Sequence, residues 1–511
     1  MKFLFSISIL LGGCFYVYTA KQPPFVYAPL ILGWLIMTLA MKKKKVTTPP
    51  LLQFGKLRWD ESNLGHILVL GQTGKGKTVS AITNILTQLT KNCPHWGGMI
   101  LGVKGNEHHF IEGLFKNNGR NGDVKVLQVK PEGAQNWSPP FRINLTGDKR
   151  LPWSSYASMI IDTGKALSGD KGDSFWADTA EQCITHAFVL LEGLGQPPTI
   201  PEVYKLLMAE GPEIGKAVVE FCEKKGELNE QDIATMSYFE SVFINAKARE
   251  QLEGTKGTLK RYLGFFINPE IAEVFCSENP NLEMKDLDKG VVIATSIPQR
   301  YVKERKYIHT LIKALGYNHG LLRFDQEAID AEYIKKCNRL IFIFDEAQEV
   351  ITASETGMGD HTIADRIRSA KVNLVFSMQS SRSPDSKIGR EKRENLINHF
   401  GTRFIFQLGE QTEAKDLSSF LGDAKQRKIT RSRGKTGGNR SVVMEYKPRV
   451  EPVVLMSLDA HQCLITNPSK DFHLTNLAPL DTTGIIPSWY AEKRRILKPI
   501  QRLNKHIFYG R

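Results

Sequence analysis

The chain opens on two apolar stretches, Phe3 to Ala20 and Phe25 to Met41, 18 and 17 residues long. Both lie at the short end of what a helix needs to cross a hydrocarbon core. Only Lys21-Gln22-Pro23-Pro24 separates them, and Lys42 to Lys45 follow at once. Positive charge flanking a span marks the cytoplasmic side. The pattern therefore predicts a transmembrane helical hairpin over residues 1–45, multi-pass in the inner (plasma) membrane, with the rest of the chain cytoplasmic. A cleaved signal peptide ahead of a single span is the alternative, and Tyr18 stands where cleavage after Ala20 wants a small residue. No later segment reads as a span.

Beyond a short linker the pattern changes to brief aliphatic runs alternating with helical periodicity. His66–Leu70, Met99–Val103, Val124–Val129, Val291–Ser296, Leu340–Phe344, Val372–Ser377 and Arg403–Gln407 read as strands, the densest of them buried on both faces. Val79, Ile82, Ile85, Leu86 and Leu89 share one face of a helix running from Thr78 to about Leu89. The interval between Val129 and Val291 reads as helices over Trp176–Leu194, Ile200–Ala209, Glu213–Lys225 and Asp232–Gly254. It is too long for a crossover connection. The expected architecture is α/β: a doubly wound, mostly parallel sheet built from 46–151 and 267–485, an all-α domain inserted at 152–266, and a tail at 486–511.

Two strand ends carry chemistry. The first leads into Gly71-Gln72-Thr73-Gly74-Lys75-Gly76-Lys77-Thr78, which fits G-x-x-x-x-G-K-[ST] without a mismatch. The glycines let main-chain N–H groups wrap a β-phosphate, and the following helix contributes its positive end. Lys77 is expected to reach the β- and γ-phosphates, and the Thr78 hydroxyl to be a Mg²⁺ ligand. The second is Leu340–Phe344 followed by Asp345-Glu346. Asp345 would hold the Mg²⁺, and Glu346 would polarise the attacking water. Together these predict an ATP- and Mg²⁺-dependent hydrolase, with 46–151 and 267–485 as the two parts of its nucleotide-binding domain. Gln379, just past the Val372 strand, is placed to sense the γ-phosphate; an ordinary loop residue is the competing reading.

Charge narrows the partner. The formal net charge is +14, which points to a polyanion, nucleic acid or an anionic membrane face. Lys425 to Arg440 carries no acid between Asp423 and Glu445 and holds Lys425, Arg427, Lys428, Arg431, Arg433, Lys435 and Arg440. It reads as a mobile, glycine-containing loop able to track phosphates without reading sequence, or else as a solvated surface loop. The tail from Lys493 to Arg511 is also basic. The seven cysteines form no C-x-x-C pair, so neither zinc nor a disulfide framework is indicated.

In this order the features resemble the type IV coupling proteins (TraG/TraD-like), within the FtsK/HerA group of hexameric translocases. The resemblance rests on the N-terminal hairpin, Gly71–Thr78, Ser174-Phe175-Trp176 opening the helical insertion, Asp345-Glu346, Asn373 to Gln379, Gly401-Thr402-Arg403-Phe404, and Glu413 to Gly422. It implies a RecA-like sheet and a membrane-anchored homo-hexamer that pumps single- or double-stranded DNA with its bound relaxase and relaxosome proteins to a type IV secretion channel during conjugation. The rival reading is an ATPase receptor moving protein substrates only. A hexamer of this kind needs an arginine supplied in trans. Arg366, Arg368, Arg382 and Arg403 are the candidates, with Arg403 carried alongside Lys77, Glu346 and Gln379 as catalytic. Two departures stand out. Family members commonly have an acid where this chain has Gly102-Val103-Lys104-Gly105, and their extracytoplasmic segment is often longer.

Overall fold

In the computed structural model, residues 49–494 are described apart from 169–173, 246–248, 355–357 and 435–436, with four further positions between 500 and 507. The expected membrane hairpin lies outside the described residues. Among these, no helix is long and apolar enough to cross a membrane.

Among the described residues thirteen strands appear in chain order: β1 (Leu52–Phe54), β2 (Leu57–Trp59), β3 (Ile67–Leu70), β4 (Gly97–Leu101), β5 (Val124–Gln128), β6 (Val292–Ser296), β7 (Leu340–Phe344), β8 (Val372–Met378), β9 (Thr402–Ile405), β10 (Asp423–Gly434), β11 (Gly437–Pro448), β12 (Gln462–Thr466) and β13 (Phe472–Asn476). Nine of them form one sheet in the order β13-β12-β9-β3-β8-β7-β4-β6-β5. From β9 across to β5 every neighbouring pair is parallel, while β12 and β13 close the other edge antiparallel. The seven strand expectations hold to within two residues at each end.

Alternation explains why the central strands are aliphatic throughout. Along β3, Leu68 and Leu70 face one apolar core while Ile67 and Val69 face the other. Along β7, Leu340, Phe342 and Phe344 join the first core, and Ile341 and Ile343 the second. A strand covered on both faces has no side left for polar residues. The second core takes the small β1–β2 hairpin, the helix after β3 and the helix His108–Asn117. The first takes the long helix Val302–Glu327 and the helical block between β5 and β6.

That block comprises helices Trp153–Ser168, Ser174–Gly193, Ile200–Met208, Gly211–Lys225, Glu230–Phe239, Arg249–Leu263 and Pro269–Phe275. The single helix expected over Asp232–Gly254 is instead broken. A π-helical turn at Glu240–Ile244 ends the first piece, and an α-helix starts again at Arg249. Phe188, Phe221, Phe239 and Tyr262 of the block share one continuous core with the sheet.

The basic stretch is not a loop. β10 and β11 pair antiparallel over their full 12-residue length, from Asp423↔Pro448 to Gly434↔Gly437, as a two-stranded ribbon separate from the main sheet. At about 3.3 Å per residue such a ribbon extends roughly 40 Å. Glycines and like charges argue for irregular backbone, but the sequence of the two strands also holds β-branched Ile429, Thr430, Val442 and Val443, residue types that favour extended strands, and Ile429 pairs with Val442 in the register.

Candidate nucleotide site

Because β3, β8 and β7 are parallel neighbours, their carboxyl ends open on the same edge of the sheet. Brought to that edge are the loop Gly71–Thr78 from β3, Asp345-Glu346 from β7, and Gln379 from β8. Ligands of open α/β sheets bind outside the carboxyl ends of the strands.

The loop's shape depends on glycine at two points. Gly71 has φ +144°, and a Cβ there would stand 2.6 Å from the Cβ of Phe406. Gly76 has φ +108°, and a Cβ would come within 2.9 Å of the His461 ring. The Gln72 N–H donates to the Gln407 carbonyl at 2.9 Å, anchoring the start of the loop to the end of β9. The chain then enters a π-helical turn over Lys77–Ile82 that passes into an α-helix over Thr83–Asn92.

Lys77 is only 6% exposed. Its Nζ donates to the carbonyl of Gly71 at 2.7 Å and to that of Gln72 at 3.4 Å. Burial lowers its pKa, opposed by the negative charges of Glu346 and Asp345. The Thr78 hydroxyl donates to Asp345 Oδ2 at 2.8 Å, so the two sequence motifs, 267 residues apart, meet through a hydrogen bond. A hydroxyl and a carboxylate oxygen at this spacing, beside a phosphate loop, are a donor set suited to Mg²⁺. Glu346 has a left-handed backbone, φ +52°, unusual for a non-glycine residue and often found at functional sites. Gln348 Nε2 donates to its carboxylate.

Gln379 is exposed at the end of β8, immediately after Met378, which pairs with Leu70. It therefore stands level with the first residue of the phosphate loop. Arg403 lies elsewhere. It pairs with Leu68 inside the sheet, is 4% exposed, and donates to the carbonyls of Phe400 at 3.1 Å and Ile397 at 3.2 Å. Its guanidinium sits 3.7 Å from the ring centre of Phe420, and burial pulls its pKa down to about 10. A guanidinium so engaged within its own chain does not reach a neighbour's nucleotide, which corrects the expectation drawn from its position in sequence. Arg382, just past β8, is partly exposed and pairs with Glu410 and Asp416. Arg366 and Arg368 are exposed on the helix Asp360–Ser369.

Two contributors escaped sequence reasoning. The loop Gly102–Gly105 lacks an acid of its own, yet Glu107 supplies one: its carboxylate accepts from the N–H groups of Lys104 at 3.0 Å and Gly105 at 2.9 Å. His461, in the turn before β12, donates its N–H to the Lys75 carbonyl at 2.7 Å, and its Nδ1 lies 2.8 Å from the Ser80 hydroxyl. Burial, helped by the charge of Lys493, lowers its pKa to about 4, so the ring is neutral near pH 7. No motif marks either residue; the Glu107 contact is local enough that an acid shortly after β4 was a usable signal.

Comparisons with known proteins fit this geometry. Residues 339–460 match the family model described as the TraM recognition site of TraD and TraG. Among solved structures, the chain is similar to the plasmid coupling protein TrwB in complex with the non-hydrolysable ATP analogue ADPNP. Identity is 14%, covering 88% of this chain and 93% of that one, with a TM-score of 0.59. It is also similar to the bacterial conjugative coupling protein TrwBdeltaN70 in complex with sulphate, at 16% identity, 86% and 91% coverage and a TM-score of 0.58. The same holds for TrwB in complex with ADP and Mg²⁺, at 15% identity, 81% and 85% coverage and a TM-score of 0.52. Comparison with curated proteins finds no match. At such identities the likeness to TrwB speaks for the fold, and the sequence match is confined to the segment carrying β7 to the turn before β12. A phosphate loop and an acidic strand end thus meet at one sheet edge of a chain that shares the fold of the coupling protein TrwB and, over residues 339–460, matches the family model of TraD and TraG.

Proposed function

We propose that the chain is a membrane-anchored ATP-hydrolysing motor that couples DNA, with its bound relaxase, to a type IV secretion channel and pumps it during conjugative transfer. The observation that carries the reading is the Thr78–Asp345 hydrogen bond at 2.8 Å. It joins the phosphate loop to the acidic strand end, as an assembled hydrolytic site requires. ATP would lie with its β-phosphate in the Gly71–Thr78 loop and its γ-phosphate toward Glu346, and Mg²⁺ would be held by Thr78 and Asp345. The N–H groups of the loop and the Lys77 ammonium neutralise phosphate charge, and the Glu346 carboxylate orients the attacking water and takes up its proton.

The DNA part of the proposal rests on the β10–β11 ribbon and the overall charge of +14. The partner part rests on the match of residues 339–460 to a segment described as recognising TraM, which favours a relaxosome protein as the docking partner. A homo-hexamer at the inner membrane completes the proposal.

The test is ATP turnover by the fragment beginning at Leu51, measured with and without single-stranded DNA. DNA-stimulated hydrolysis is expected. Hydrolysis indifferent to DNA but raised by a protein substrate would favour a receptor that moves proteins alone.

A further inference from the structure

The phosphate loop is held from two flanks, and only one is used by the hydrolytic machinery. On the β7 side stands Asp345, where the γ-phosphate and its metal belong. A cavity of about 360 Å³ beside Thr78 and Asp345 lies on this same flank. On the opposite side, beyond β9, the turn before β12 brings His461 against the Lys75 carbonyl and the Ser80 hydroxyl. A nucleotide whose γ end pointed to Asp345 and Glu346 would carry its base away from β7, toward this second flank.

The second flank is built from aromatic rings. The chain after β13 crosses the phosphate-loop helix, where Asn84 Nδ2 donates to the Ala478 carbonyl at 2.6 Å. It then returns as a short helix, Ser488–Arg494, that packs on His461. Tyr490 is 1% exposed, with its ring centre 5.0 Å from that of His461 in an edge contact. Trp489 stands 5.7 Å from the His461 ring centre, yet it remains 47% exposed. His461 itself is 3% exposed. The indole is thus anchored by two rings and left half in water beside the loop that would take the phosphates. Ile485 and Ile486, three and four residues earlier in the chain, are also exposed.

We infer that Trp489, seated on His461, is the stacking platform for the purine base of the bound nucleotide. This rests on the nucleotide reading above and adds to it the residue that binds the base. The contact is a π-face against a flat heteroaromatic ring, so it takes adenine and guanine alike and gives affinity without strict base choice. His461 acts here as a positioning residue. It ties the indole to the Lys75 carbonyl, so that base and phosphate subsites are held at a fixed separation.

The experiment compares ADP with inorganic tripolyphosphate, which has the charge but no base, binding to the full-length chain by calorimetry. Trp489→Ala is expected to weaken ADP about tenfold, the size of one base–aromatic stack, and to leave tripolyphosphate affinity unchanged. Trp489→Phe should restore most of the ADP affinity. The wild-type chain should lose part of its tryptophan fluorescence on ADP addition, and Trp489→Phe should not. Equal weakening of both ligands would mean that the substitution deforms the phosphate loop, and would overturn the platform. So would ADP binding that Trp489→Ala leaves intact. A wild-type chain that binds neither ligand would fail the nucleotide reading itself, and the platform with it.

Discussion

Asp360 is the buried counter-charge of Lys313, and replacing it with Asn should destabilise the protein in a way that depends on pH. Both side chains are buried. Lys313 Nζ donates to Asp360 and, at 2.6 Å, to the Val350 carbonyl. Asp360 also accepts from the Thr352 N–H at 2.7 Å and the Tyr317 hydroxyl at 2.6 Å. Burial lowers the pKa of Lys313, and the charge of Asp360 opposes it. Asp360→Asn keeps the shape and removes the charge, leaving an ammonium buried without a counter-ion. Breaking such a pair costs about 3–5 kcal/mol. The cost has a ceiling, because Lys313 can give up its proton. Holding it neutral at pH 7 against an unfolded-state pKa near 10.4 costs about 1.4 kcal/mol for each of ~3.4 pH units, or about 5 kcal/mol. The folded variant then has the lower pKa, so its unfolded state binds the extra proton and stability rises with pH toward the unfolded-state pKa. The deficit relative to wild type should shrink to about 2 kcal/mol by pH 9. Urea unfolding of the fragment from Leu51 at pH 7, 8 and 9 measures it. A deficit constant with pH, or below about 1 kcal/mol at pH 7, would show that Asp360 is not what keeps Lys313 charged.

Lys77→Ala should reduce ATP turnover at least about 100-fold, the usual cost of deleting one preorganised charge stabiliser; wild-type rates would end the phosphate-loop assignment. Glu346→Gln should retain ATP affinity and lose about 10²–10⁴-fold in turnover, since Thr78 and Asp345 remain for Mg²⁺; loss of nucleotide binding itself would reassign the two acids. Changing Arg427, Lys428, Arg431 and Arg433 together to Ala should weaken single-stranded DNA equally for all sequences and flatten the salt dependence by about 0.7 per lost phosphate contact; an unchanged slope in oligonucleotide titrations would exclude the ribbon as a DNA track. His66, buried and neutral with its pKa lowered to about 4, accepts from the Leu374 N–H at Nδ1 and faces the Ala364 carbonyl with Nε2. Its unfolded form protonates first, so stability present above pH ~6.5 should fall by about 2 kcal/mol on reaching pH 5, and His66→Gln should remove that part of the acid sensitivity in thermal melts.

The candidate nucleotide site is legible because its residues are local in sequence. Eight consecutive residues and one strand end carry it, and both follow aliphatic runs that only a doubly covered strand explains. What failed needed tertiary information. Arg403 sits just inside a strand that ends near the phosphates, but its place within β9 and the ring of Phe420 turn its charge inward. The helix Val302–Glu327 gave no amphipathic signal because it is covered nearly all round, with Tyr307, Ile308, Leu311, Ile312, Lys313 and Tyr317 all buried. A buried Lys313 reads as a surface residue until Asp360 is found opposite it. The β10–β11 stretch reads as a loop from its glycines and charge, and its β-branched residues become meaningful only once the strands are aligned.

The same alignment separates two kinds of chemistry within the chain. Nucleotide chemistry occupies one edge of the sheet, where seven parallel strands fix every group to a rigid neighbour. The basic charge sits on a ribbon outside that sheet, joined to it between the helix Gln411–Leu421 and the short helix Pro452–Met456. The join is not remote from the phosphates. Met456 accepts from Gln407 Nε2 at 2.9 Å, and the Gln407 carbonyl in turn receives the Gln72 N–H of the phosphate loop. A few residues beyond Met456 the chain reaches His461, which braces Lys75. The segment that follows the ribbon thus reaches the phosphate loop at Gln72 through Gln407 and at Lys75 through His461. The motor proposed above would need such a short mechanical path, because a ligand shifts an arm only through contacts that differ between its bound states. Here the contacts are hydrogen bonds to the main chain of the loop that, in that proposal, would change ligand during the cycle.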